Sequence, residues 1–322
     1  MTLTETRPEA VAVPATAGPK SLVPTRGPAT WLTTADSATI GRLFIGTSML
    51  FALGALGLGG LAAVERVAPA DAFLSNAALR LLSLGIVGLA FMVVVPLWTG
   101  VAIAIVPLQV GARTVAFPRA AALSFWGWLG GAGLIIGSYA GHGGPDGTSP
   151  NSVGLFIVGL GLLAVSLVIA SISVATTVLT LRVPGMYLDR VPFFAWAAMV
   201  TAIGMVLTLP VLVGALIYYY VDHRYGGGAL PDGSLLQGIS WSFRQPTTLL
   251  IALPVLGFAG DVTPVFARTR VAIPSAVYGA IGLCLVLGYG AWVLDVLIPS
   301  VRSDFLFQVV SVAAVLPVLM VL

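Results

Sequence analysis

Four stretches of this chain, 81–112, 147–181, 191–221 and 271–294, contain no Asp, Glu, Lys or Arg. A run of about 20 apolar residues is long enough to cross a bilayer as a helix. In lipid every backbone N–H and C=O must be satisfied within the segment, which favours helices. The rest of the composition agrees: 58% of the residues are hydrophobic and 8% charged, against about 25% charged in a soluble domain. The expected fold is all-α, a polytopic transmembrane helix bundle.

About eight spans are expected, at 40–63, 79–107, 120–141, 153–181, 191–220, 244–263, 271–295 and 304–322. They form one transmembrane helical domain, 38–322. Residues 1–37 read as a disordered polar cytoplasmic tail. It carries Pro8, Pro14, Pro19, Pro24 and Pro28 and too little apolar surface to fold alone. Asp36 is placed to cap the first helix, with Trp31 at the interface. Small residues at Gly54, Gly57, Gly59 and Gly60, and at Gly127, Gly130, Gly131 and Gly133, suit close helix contacts. The last span has no basic residue behind it, which reads as a shortened chain or a fragment.

Basic residues set the expected orientation. With the N-terminus inside, the inner segments hold Arg7, Lys20, Arg26, Arg42, Arg113, Arg119, Arg182, Arg190, Arg268 and Arg270. The outer segments hold Arg66, Arg80, Arg224, Arg244 and Arg302. The net charge of +3 is too small to imply a nucleic-acid partner. The single cysteine, Cys284, lies in an apolar run and reads as a packing residue. The two histidines, His142 and His223, fall in outer loops, with no Cys or Glu cluster beside them to make a metal site. Tyr218, Tyr219 and Tyr220 close a span and suit an interfacial belt. Asp261, near an inner helix end, reads as solvated or paired.

Several blocks carry a resemblance. They are Pro107-Leu108-Gln109-Val110-Gly111-Ala112, Ala116-Phe117-Pro118-Arg119, Ser124-Phe125-Trp126 and Arg182-Val183-Pro184-Gly185-Met186. Leu209-Pro210-Val211-Leu212, Ile251-Ala252-Leu253-Pro254 and Pro264-Val265-Phe266-Ala267-Arg268 follow in order. No single block is specific, but together, at this spacing, they resemble subunit I of the haem-copper oxidases, the cytochrome c oxidase family. The resemblance runs from about Thr33 to Leu322 and covers the first eight of that family's usual twelve helices.

That resemblance implies haem and copper held by imidazoles, and it locates where those ligands would stand. The haem-ligand His position is Gly85. The copper-ligand positions are Gln245, Leu294 and Asp295, and the redox Tyr position is Leu249. The proton-path positions fall at Thr114, Ala121, Ala122, Ser173 and Val321, with the terminal Glu at Thr247. None of these residues is the family's ligand or relay group. Intramembrane acids and amides are expensive and mark ion paths, so their replacement points away from the family's chemistry.

The expected function is therefore a non-catalytic scaffold or partner-binding subunit of a respiratory-type complex. It would carry no cofactor and no metal, and would meet a subunit-II-like protein on its outer face. Two alternatives stand beside this reading. One is cytochrome c oxidase subunit I in terminal aerobic electron transfer, dependent on haem and copper. The other is a carrier of a small apolar ligand. The expected location is the bacterial cytoplasmic membrane.

Overall fold

The computed structural model describes residues 34–67, 88–144, 147, 149–226, 235–271 and 273–297, with four isolated positions at 309, 312, 313 and 315. In 65–67, 235–249 and 290–297 the description is of the backbone alone. Seven α-helices lie among the described residues: α1 (Ser37–Val67), α2 (Val95–Val110), α3 (Pro118–Ala140), α4 (Pro150–Thr180), α5 (Phe193–Tyr225), α6 (Leu235–Ala267) and α7 (Pro274–Leu297). A π-helical turn, Leu89–Val94, leads into α2, and a short 3-10 turn, Leu188–Arg190, precedes α5. Six of these segments are long and apolar enough to cross a membrane, and α7 contributes a shorter apolar helix over Pro274–Tyr289. The chain is an all-α, multi-pass integral membrane protein. The expected tail up to residue 33, and the last expected span apart from the four isolated positions, lie outside the described residues.

Two boundaries differ from expectation. The stretch 221–243 reads as an outer loop, yet α5 runs on to Tyr225 and α6 begins at Leu235. Hydropathy reports depth in lipid and not helicity, so polar turns that continue a span escape it. No proline falls in 235–243, and the first in α6 is Pro246.

Consecutive helices pack side by side, α3 on α4, α4 on α5, α5 on α6, and α1 lies on α2. Their ends meet as an up-and-down bundle requires. Val183 N–H donates to Val110 O at 3.1 Å and Ala116 N–H to Thr177 Oγ1 at 2.8 Å. Arg113, Arg119, Arg182, Arg190, Arg268 and Arg270 all belong to the connections at this one end. Arg224 lies at the opposite end. Asp36 caps α1 as expected, accepting from Thr39 N–H at 3.0 Å and from the Thr39 hydroxyl at 2.6 Å. The Thr39 hydroxyl bond, above the other contributions, holds the Asp36 carboxyl below its ordinary range.

Glycine matters most at two crossings. A Cβ on Gly41 would stand 2.6 Å from the Gly100 carbonyl oxygen, so α1 and α2 touch backbone to backbone. A Cβ on Gly131 would stand 2.7 Å from the Gly159 oxygen, and the same holds for α3 and α4. The expected contacts at Gly54, Gly57, Gly59 and Gly60 need correcting. Among the described residues nothing lies within 4 Å of a Cβ placed there, nor at Gly133. Leu50, Leu53 and Leu56 in the second half of α1 are exposed.

The π-turn has a local cause. In a π-helix the carbonyl of residue i accepts from the N–H of i+5, and Val95 N–H duly donates to Ala90 O. The next position in that ladder is Pro96, which has no N–H to offer Phe91 O. Trp128 of α3 supplies the donor: its indole Nε1–H reaches Phe91 O at 3.0 Å. Trp128 is fully buried, with the Phe44 ring 5.4 Å away.

Candidate functional site

The richest polar arrangement sits at the arginine-rich end, where α2, α5 and α6 meet. Helix α5 starts after Pro192, a residue with no side-chain group to cap the first N–H donors. The cap comes from another helix. Asp261 of α6 accepts from Phe193 N–H at 2.9 Å through Oδ1 and from Phe194 N–H at 3.0 Å through Oδ2. Gln109, at the end of α2, donates its Nε2–H to Asp261 Oδ2 at 3.3 Å. A carboxylate at a helix N-terminus also meets the positive end of the helix dipole. Asp261 is thus paired, one of the two readings open from sequence. Gln109 lay in a family block without a role of its own. The signal for both was available: a helix opening on proline, and an acid at the end of the helix that follows.

Tyr278 of α7 extends this junction. Its hydroxyl donates to Val191 O at 2.6 Å, while Trp196 Nε1–H donates to the Tyr278 carbonyl at 3.2 Å. Four helix ends are therefore tied together within one turn of the start of α5.

The proton-path positions that are described fall nearby, where α3 begins and α4 ends. Thr114 lies in the connection, with its hydroxyl donating to Val115 O at 3.3 Å. Ala121 is fully buried, and Ala122 partly so, in the first turns of α3. Ser173 is buried in α4 and donates to Ile169 O at 3.2 Å. One turn on, Thr177 donates to Ser173 O at 2.6 Å and accepts from Ala116 N–H. These hydroxyls are engaged with backbone groups, which ties α4 to the 111–117 connection. Gly85 and Val321 lie outside the described residues. The backbone places Gln245, Thr247 and Leu249 in α6, and Leu294 and Asp295 in α7, with their side chains outside the description.

A small cavity of about 20 Å³ lies among α2, α4, α5 and α6, walled by Trp98, Ala102, Val174, Phe194, Met205 and Pro254. Ser171 on its edge donates to Leu167 O at 2.7 Å, with Met205 Sδ 3.0 Å from the same hydroxyl. A volume of this size holds about one water molecule.

Both histidines lie at helix ends. His142 follows α3 with φ at 61°, a left-handed conformation. His223 lies in the last turn of α5, its Nε2 3.0 Å from the Pro150 carbonyl. Since a carbonyl only accepts, Nε2 carries the proton. Among the described residues no three His, Cys, Asp or Glu side chains come together as a metal site would need.

The comparisons with known proteins converge. A family model described as cytochrome C and quinol oxidase polypeptide I matches residues 39–322. A putative cytochrome c oxidase subunit 1-beta of Streptomyces avermitilis is 33% identical over 261 residues, which is 74% of this chain and 46% of that protein. The cytochrome c oxidase subunit 1 of Bacillus subtilis is 30% identical over 322 residues, 91% of this chain and 50% of that protein. That of Corynebacterium efficiens is 32% identical over 283 residues, 80% and 47% respectively. The chain spans about half the length of the curated relatives it matches.

Proposed function

The chain belongs to the cytochrome c and quinol oxidase polypeptide I family, and from that premise we propose that it is a scaffold subunit holding no haem or copper of its own. The observation that carries this reading is the placement of its imidazoles. The whole chain has two histidines, and both stand at helix ends, one in the connection after α3 and one in the last turn of α5. Haem and copper inside a bundle need imidazole donors within the spans. The donor set of this chain does not fit either group, so no step through them is derived. The replacements at Gly85, Gln245, Leu249, Leu294 and Asp295 support the same reading, as do those at Thr114, Ala121, Ala122, Ser173, Thr247 and Val321. The alternative as a working oxidase subunit I would need imidazoles at positions where these 322 residues carry none. The alternative as a carrier would seat its guest beside Gly85, Leu249 and Leu294, which lie outside the residues whose side chains are described.

The chain purified in mild detergent is expected to have no Soret absorption and no bound copper after dialysis against a chelator. A Soret band equivalent to one haem per chain, surviving detergent washing, would sink the scaffold reading and restore the oxidase one.

The scaffold reading includes an orientation and a partner. The arginine-rich end faces the cytoplasm, and the opposite end meets a subunit-II-like membrane protein. Cysteines placed by Ser234→Cys and Thr269→Cys test this in intact cells, because the native Cys284 is buried and silent to a bulky reagent. The expected result is labelling at 234 by a membrane-impermeant maleimide and protection at 269. The reverse pattern would invert the orientation.

A further inference from the structure

Outside the junction described above, the opposite end of the bundle carries a notch of about 260 Å³ between the start of α4 and the end of α5. Its lining is mixed: Arg224, His223 and Asn151 are polar, and Leu155 and Val158 are apolar. Arg224 donates one N–H to Asn151 Oδ1 at 3.3 Å, out of the five donors a guanidinium carries. His223 commits Nε2–H to Pro150 O. The first N–H groups of the 31-residue α4 lie at the same place, and a helix start favours negative charge. Asp222 does not line the notch, and it is buried.

The apolar side continues beyond the notch. Leu155, Val158, Leu162, Val165 and Ile172 are all exposed on α4. Steps of three, four, three and seven residues put them on one face of the helix, so an aliphatic stripe runs from the notch along the span into the bilayer. A cationic pocket at the membrane interface, opening onto a lipid-facing stripe, matches a molecule with an anionic head and an acyl tail.

We propose that this notch binds the phosphodiester of an anionic phospholipid, with Arg224 on the phosphate oxygens and an acyl chain along Leu155, Val158 and Leu162. The site is independent of the scaffold reading, since neither haem, copper nor a protein partner enters it. Its selectivity comes from net charge. A zwitterionic lipid brings its own cation to the phosphate and gains less from Arg224.

The test uses the full chain, delipidated in detergent and titrated with phosphatidylglycerol or phosphatidylcholine while bound lipid is counted by native mass spectrometry. Phosphatidylglycerol is expected to bind at least about tenfold more tightly, the scale of one charge-assisted hydrogen bond. Arg224→Gln should reduce that preference to less than about threefold. Gly154→Leu tests the volume without touching charge. A Cβ there meets Tyr220 Cε2 at 3.5 Å, an ordinary contact, and leucine favours the helix over glycine. That variant should fold and lose bound lipid of both kinds. The proposal is overturned if Arg224→Gln keeps the full preference, if Gly154→Leu still binds, or if the wild type does not discriminate. It is also overturned if water-soluble glycerophosphoglycerol displaces the lipid at equal concentration, because the site would then belong to a free anion.

Discussion

Trp128→Ala is expected to destabilise the folded bundle by about 3 kcal/mol, at the low end of the range for buried aromatic truncation. The low end applies because the side chain leaves a lipid-embedded reference state, so the transfer from water that adds to the cost in soluble proteins largely drops out. What remains is the void beside Phe44 and Phe125, whose rings lie 5.4 and 6.1 Å from the indole. To this is added the lost donor to Phe91 O. Trp128→Phe separates the two effects. It keeps most of the packing and removes the N–H, so it should cost about 1–2 kcal/mol, the penalty for leaving a buried carbonyl short of its bond. Equilibrium unfolding in a fixed detergent mixture reads both values. If Trp128→Phe proves as stable as the wild type, the indole bond plays no part in holding the π-turn, and the account of Pro96 and Phe91 fails with it.

That π-turn also marks the limit of what the chain discloses as text. Hydropathy and length placed most of the described spans to within a few residues, because they decide which segments enter lipid, but α6 begins at Leu235, well before the expected 244. The cap at Asp36 was equally legible, since acceptor and donor lie three residues apart. The π-turn was not. Pro96 announces a missing N–H, but the residue that compensates is Trp128, on a different helix. Glycines were a partial guide for a related reason. Gly127 and Gly131 close on α4 as expected, while Gly54, Gly57, Gly59 and Gly60 along α1 have nothing described within 4 Å of a Cβ. A small residue permits a close crossing without naming the helix that makes it. The expected ligand and proton-path positions were legible through family frames only. Ser173 and Thr177 spend their hydroxyls on helix backbone, a use that no spacing in the sequence specifies.

Asp261 is the other residue whose loss should be felt across several helices. Asp261→Ala removes the acceptor for Phe193 N–H, Phe194 N–H and Gln109 Nε2–H at once. Loss of a side-chain cap costs about 0.5–2 kcal/mol, and hydrogen bonds to a charged group are worth more than neutral ones. A total of about 2–3 kcal/mol is expected, partly offset where water reaches the freed donors at this end of the bundle. Gln109 makes the offset smaller, because its Oε1 is already buried without a partner among the described residues. Losing the Nε2 bond would leave the whole amide unsupported. Asp261→Asn retains one carbonyl oxygen and should fall about midway, while Gln109→Leu in the wild-type background should cost less than about 1 kcal/mol, since it removes the orphaned oxygen together with the bond. Unfolding of the three variants in one lipid–detergent mixture gives the order. The cap account requires Asp261→Ala to be the least stable, then Asp261→Asn, then Gln109→Leu. A stable Asp261→Ala would mean that α5 begins without help from α6, and that the carboxylate is retained at this end of the bundle for some purpose other than holding it together.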